Sequence, residues 1–244
     1  MTDAHCHVSC GDPSVRELLV GRDFFGVHPW ETLGSGSGGR SWTSGRVVPQ
    51  VPLLPQVPPL HTLASLRALL LANPKAGVGE IGLDRLKCRD IPPLMREVFE
   101  AQLSLAFELR RPVVLHGAKC WGQVVKAIVN YELRIMNHEP GDGKKPAFLF
   151  HGFSRSDGLI PDIVRLGGFI SVGPAVLNDH AVNYRELVKK IPVDRLLVET
   201  DRTDGTGVSI YDVLARTAEL RGTSAAELER ITDANVDAFM GKMV

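Results

Sequence analysis

Short apolar runs alternate along this chain with longer stretches in which apolar residues recur at helical spacing. The runs predict strands at Thr2–His7, Phe24–Val27, Ala76–Ile81, Pro112–His116, Ala147–His151, Phe169–Val172 and Leu196–Asp201. The spaced stretches predict helices over Val15–Val20, Thr62–Leu71, Pro93–Arg111, Gly122–Val129, Ile160–Leu166, Tyr184–Lys190, Ile210–Leu220 and Ala225–Met240. In Pro93–Arg111 a proline occupies the first turn, and Met95, Val98, Phe99, Gln102, Leu105, Ala106 and Leu109 share one mostly apolar face. Ser224 followed by Glu227 forms a capping-box signature ahead of the last helix. Strand-then-helix repetition predicts a parallel sheet, open or closed, with right-handed crossovers and about seven strands. The Gly/Ser- and Pro-rich segment 34–60 reads as a flexible surface loop within a single domain over 1–244.

Composition narrows the class. With 44% hydrophobic and 23% charged residues over 244 positions, the chain has enough apolar content for a core, which excludes wholesale disorder. No apolar run reaches the length of a membrane span, so no membrane partner is expected. Lys and Arg (28) balance Asp and Glu (28), so nucleic-acid binding has to come from a local site. The four cysteines form no CxxC pair and the N-terminus has no leader pattern, so an intracellular, cytoplasmic protein is expected.

The chemistry sits at strand ends. In Asp3-Ala-His5-Cys-His7 the two imidazoles share one strand face, as metal ligands or as an ordinary surface pair. Glu80 lies between glycines in Gly79–Asp84, His116 closes Pro112–His116, His151 closes Ala147–His151, and Glu199 and Asp201 share a face of the last strand. Singly each is weak. In a barrel the carboxyl ends of parallel strands converge on one rim, which brings His5, His7, Glu80, His116, His151 and Asp201 together. Four histidines beside two carboxylates suit divalent metal, and six groups fit two ions sharing a bridging carboxylate.

These motifs resemble the TatD family of metal-dependent hydrolases. DAHCH resembles the family's DxHxH start and GVHPW (Gly26–Trp30) its GxHP segment. GEIGLD (Gly79–Asp84), PVVLH, HGFS (His151–Ser154) and LLVETD (Leu196–Asp201) follow in the family's order. The resemblance implies a TIM-like (β/α) barrel, here trimmed to about seven strands, and phosphodiester hydrolysis, often of DNA. It implies two divalent ions (Zn, Mg or Mn): His5, His7 and Asp201 on one, His116 and His151 on the other, Glu80 bridging. Asp201 and Glu80 are the expected catalytic groups, with Asp201 as general base. Asp84 and Glu199 are expected to orient imidazoles. His28, Lys119 and Arg202 are the expected substrate contacts.

The chain also departs from the family pattern. The stretch from His7 to Phe24 is short, Ala118 stands where HxR has arginine, and Arg202-Thr203 follows Asp201 where a proline is usual. Arg155, His61, His138 and His180 read as surface residues. Trp30 and Trp121 read as packing residues, with base stacking as the alternative. DNA or a small phosphoester is the expected substrate. A small ester or amide, and a partner-binding scaffold with a residual metal site, are the competing functions.

Overall fold

In the computed structural model, residues 1–33, 63–138, 145–204 and 207–241 are described; the 34–60 loop and His61 lie outside them. Eight strands and seven helices are present among these residues: β1 (Thr2–Cys6), β2 (Arg16–Leu19), β3 (Phe24–Phe25), α1 (Leu63–Ala72), β4 (Gly77–Asp84), α2 (Pro93–Leu109), β5 (Val113–Ala118), α3 (Trp121–His138), β6 (Phe148–Phe150), α4 (Ile160–Arg165), β7 (Gly168–Val172), α5 (Val182–Lys190), β8 (Leu196–Val198), α6 (Ile210–Arg221) and α7 (Ala225–Met240).

Strands β3 to β8 form a parallel sheet in sequence order, and β1 pairs in parallel with β2. Two seams join these ladders into a closed barrel. A Val20–Phe24 bridge links β2 to β3. On the other side Asp201 N donates to His5 O (3.0 Å) and His7 N to Arg202 O (2.8 Å). Closure satisfies backbone groups that an open edge would expose.

The segment Val15–Val20 is therefore not a helix, and the strand count is eight. Val15, Leu18 and Leu19 have helical spacing, yet the segment is too short to gain much from helix formation. Pairing with β1 (Thr2 with Arg16, Asp3 with Glu17) fills the position between β1 and β3. No helix separates β1 from β2, and the connection is held by polar contacts. Glu17 accepts hydrogen bonds from Ser9 Oγ (2.5 Å) and Cys10 N (2.6 Å).

Period-2 alternation divides the barrel wall into layers. Val114, Leu149, Phe169 and Leu197 belong to the inner apolar cluster, whereas Val113, Leu115, Phe148, Phe150, Ile170, Leu196 and Val198 join the outer core beneath the helices. Phe239 of α7 lies 6.0 Å from Phe24 and 5.9 Å from Phe169, ring to ring, and belongs to the same inner cluster. Asn235 of α7 donates to Val193 O and Leu196 O (2.8 and 2.9 Å), tying this helix to the start of β8.

The β4–β5 ladder is tight. Gly82 has φ +151°, and a Cβ there would lie 1.9 Å from His116 O. Gly82→Ala is therefore expected to destabilise the fold by about 3 kcal/mol or more, since backbone rather than a side chain must move. Chemical denaturation of the two proteins checks this; a midpoint within experimental error of the parent contradicts it.

Candidate active site

Two residues beyond each inward apolar residue, the same wall turns polar. Val114 is followed by His116, Leu149 by His151, Phe169 by Ser171, and Leu197 by Glu199. β4 contributes Glu80 at a register shift: Val78 pairs with Val113 but Ile81 with Leu115, so β4 carries one extra residue there. Bulges of this kind re-aim side chains at barrel rims.

Glu80 lies at the centre, almost fully buried. Its Oε1 is 3.2 Å from His5 Nε2 and 2.9 Å from His7 Nε2. Its Oε2 is 2.8 Å from His151 Nε2, 3.4 Å from His116 Nδ1 and 3.8 Å from His28 Nε2. Asp201 Oδ1 completes the first group, 3.5 Å from His7 and 3.8 Å from His5. All six residues expected from the sequence are thus brought together, and His28 joins them. Three overlapping sets have ligand atoms spaced for an ion: His5–His7–Glu80, His5–His151–Asp201 and His28–Glu80–His116.

The floor of the site is sealed and its mouth is open. His5 is 0% exposed, whereas the Asp201 side chain is 45% exposed. Asp201 adopts φ +48°, a left-handed conformation that aspartate and asparagine tolerate better than most residues.

A supporting contact fixes one imidazole. His116 Nε2 donates to Asp84 Oδ2 (2.9 Å), leaving Nδ1 toward Glu80. Asp84 also accepts from Trp30 Nε1 (2.7 Å) and from Leu86 N and Lys87 N. Burial opposes ionisation of Asp84, but these donors outweigh it and hold the carboxyl well below the usual range. Glu199 is held by Gly152 N (2.7 Å) and Ser171 Oγ, 3.8 Å from His151 Nδ1. Asp84 bonds an imidazole as the sequence expects, whereas Glu199 stands beside His151 without a hydrogen bond to it. Ser171 was missed; its signal is a lone hydroxyl on the inward phase of β7. Gln102 was read only as part of a helix face. It clamps Val27, accepting from its N (2.6 Å) and donating to its O (3.1 Å), and so sets the chain leading to His28.

The charges are strongly coupled. Burial alone would raise the Glu80 pKa, yet the imidazoles of His151, His5 and His116 hold it well below the ordinary value. Burial would lower His7, but Asp201 and Glu80 raise it to about 9. His151 rises well above its ordinary value, Glu80 and Glu199 overcoming burial. His28 moves the other way, to about 4, because burial and the neighbouring His116 and His151 outweigh Glu80. The donor set fits a divalent cation. Both ring nitrogens of His5 are buried without a hydrogen-bond partner, which is costly unless a cation meets one of them.

The remaining expected residues are scattered. Lys119 is exposed just past β5, at φ +57°. Arg202 is buried; its guanidinium faces Glu17 (3.6 Å) and donates to Val208 O (3.3 Å), contacts that do not bring it into the cluster. Arg155 and His180 are exposed, and Trp121 packs against Phe150 and Phe153 in the core. The side chain of His138 lies outside the described residues.

The family model for TatD-related DNase matches residues 22–241. The chain belongs to the TatD family. It is 30% identical over 179 residues to the 3'-5' ssDNA/RNA exonuclease TatD of Klebsiella pneumoniae, covering 67% of this chain and 64% of that protein. To the uncharacterized metal-dependent hydrolase YabD of Bacillus subtilis it is 29% identical over 139 residues, covering 57% of this chain and 51% of that protein. The TatD chain therefore spans between half and two thirds of the length of these relatives. Among solved structures, the TatD homolog YJJV of Escherichia coli superposes with a TM-score of 0.59 at 26% identity, covering 72% of this chain and 69% of that one. A TatD family hydrolase from Entamoeba histolytica gives 0.63 at 17% identity, covering 92% and 75%, which bears on the fold alone. Both likenesses agree with the closed barrel of this TatD chain.

Proposed function

We propose that residues 1–244 form one metal-dependent phosphodiesterase domain that cleaves single-stranded DNA or RNA inside the cell, the reaction named for its Klebsiella relative. One observation carries the reading. The two oxygens of Glu80 face different sets of imidazoles, His5 and His7 on one side and His116 and His151 on the other. A carboxylate so placed would serve two divalent ions. His5, His7 and Asp201 would hold one, and His116 and His151 the other.

Divalent ions at such a site supply Lewis-acid stabilisation of phosphoryl oxygens and acidify water. The protein's own groups do the rest. Asp201, the most open of the six, stands at the mouth, where it takes the proton of the attacking water. Asp84 keeps the His116 ring from turning, and Glu199, braced by Ser171 and Gly152, flanks His151. His28 lines the site beside Glu80, and Lys119, exposed just past β5, is a candidate phosphate contact.

Hydrolysis of a single-stranded DNA oligonucleotide by chelator-stripped protein, with Mn, Mg or Zn added back, tests this. Activity is expected to vanish on stripping and to return with at least one ion. Absence of cleavage with every ion overturns the nuclease reading and directs the search to phosphate monoesters, carboxylic esters and amides.

A further inference from the structure

Trp30 is unusual among the residues at the rim. Its indole is 45% exposed, yet it is anchored at one edge to a fully buried carboxylate through the Nε1–Asp84 hydrogen bond. The same Asp84 oxygen takes the hydrogen bond of His116, so one atom ties the indole to an imidazole of the cluster. The Trp30 ring centroid is 4.6 Å from that of His28 and 6.0 Å from that of His116. The exposed Lys87 places its Nζ 4.4 Å from the indole centroid. A half-exposed indole with an ammonium over one face therefore stands one imidazole away from Glu80.

We propose that Trp30 is a specificity-determining residue: its indole stacks on the nucleobase adjoining the phosphate held at the cluster, and Lys87 pairs with the neighbouring phosphate. This rests on the nuclease reading and deepens it. A nucleotide presents a flat π face and an anion one sugar apart, which an indole and the ammonium now over one of its faces can each meet, the base taking the indole and the phosphate the ammonium. Stacking is indifferent to base identity, so the subsite selects for the presence of a base rather than for a sequence. An anchored indole also loses little freedom on binding, which favours a fixed platform over a mobile side chain.

The test separates stacking from a structural role through Asp84. Trp30→Phe keeps an aromatic face and loses the N–H; Trp30→Leu loses both. Each is compared with the parent on a single-stranded oligonucleotide with an ordinary 3' nucleotide and on one whose 3' nucleotide lacks its base. Trp30→Leu is expected to lower kcat/KM about 10- to 100-fold on the ordinary oligonucleotide, mainly through KM, and less than about 3-fold on the abasic one. Trp30→Phe is expected to stay within about 5-fold of the parent on both. Equal losses on both oligonucleotides, or Trp30→Phe as impaired as Trp30→Leu, overturn the proposal. Should the parent protein cleave neither oligonucleotide with any ion, the nuclease reading fails, and fluorescence anisotropy with labelled oligonucleotides decides the stacking separately. A preference of the parent for the base-bearing end that disappears in Trp30→Leu supports the platform; equal affinities overturn it.

Discussion

Asp201→Asn is expected to lower turnover by about 10²- to 10⁴-fold while leaving the fold intact, the range associated with losing a general base. The substitution isolates chemistry from structure. Asparagine is nearly isosteric, and it tolerates the left-handed conformation that Asp201 adopts at φ +48°. Asp201 is also open to solvent, so the amide leaves no polar group buried without a partner. The backbone bond from Asp201 N to His5 O, which helps to close the barrel, is unaffected. Single-turnover kinetics on a single-stranded oligonucleotide, with a thermal melt alongside, reads both quantities. Near-parental turnover removes Asp201 as the base. A melt lowered by many degrees means that the aspartate holds the β1–β8 seam as well.

Glu80→Gln should be more severe. The carboxylate is almost fully buried and lies within 3.4 Å of four imidazoles, two on each oxygen. The amide is neutral and presents a donor on one side, where an ion or a protonated imidazole requires an acceptor. Removing one partner of a buried charge cluster typically costs about 3–5 kcal/mol, so a lower melting temperature is expected even without metal. Metal content by elemental analysis should fall by at least half, and activity to about a thousandth of the parental value or less, since the change strikes both halves of the site at once. Retention of the full metal complement in Glu80→Gln would mean that the shared-carboxylate assignment is wrong.

Much of the fold was legible because alternation and helical spacing are local. The helix over Ala225–Met240 matches α7 residue for residue, with Ser224 Oγ accepting from Glu227 N as its cap. Strand ends were less clear, and they depend on neighbours. β4 runs on to Asp84 because Gly82, Leu83 and Asp84 pair with His116, Gly117 and Ala118. The segment 16–19 was misread for the same reason: its apolar spacing suits either conformation, and only the gap between β1 and β3 selects a strand.

The candidate site divides along the same line. His5, His7, His116, His151 and Asp201 announce themselves by lying at the ends of apolar runs, where strand period and chain direction place them on one rim. Glu80 is a weaker signal, since an acidic residue between glycines reads as an exposed turn until the bulge in β4 turns it inward. Arg202 next to Asp201 suggests a phosphate contact by position alone, and its partner Glu17 comes from a strand remote in sequence. Residue types and their order along the chain pointed to a parallel strand-and-helix fold with nitrogen- and oxygen-rich candidate metal ligands at its strand ends, because those signals survive in any window of a few residues. Closure with eight strands, the β4 bulge that turns Glu80 inward and the anchoring of Trp30 on Asp84 were decided by tertiary structure alone. Each depends on groups that meet only when distant segments pack, and no local pattern encodes which segments those are.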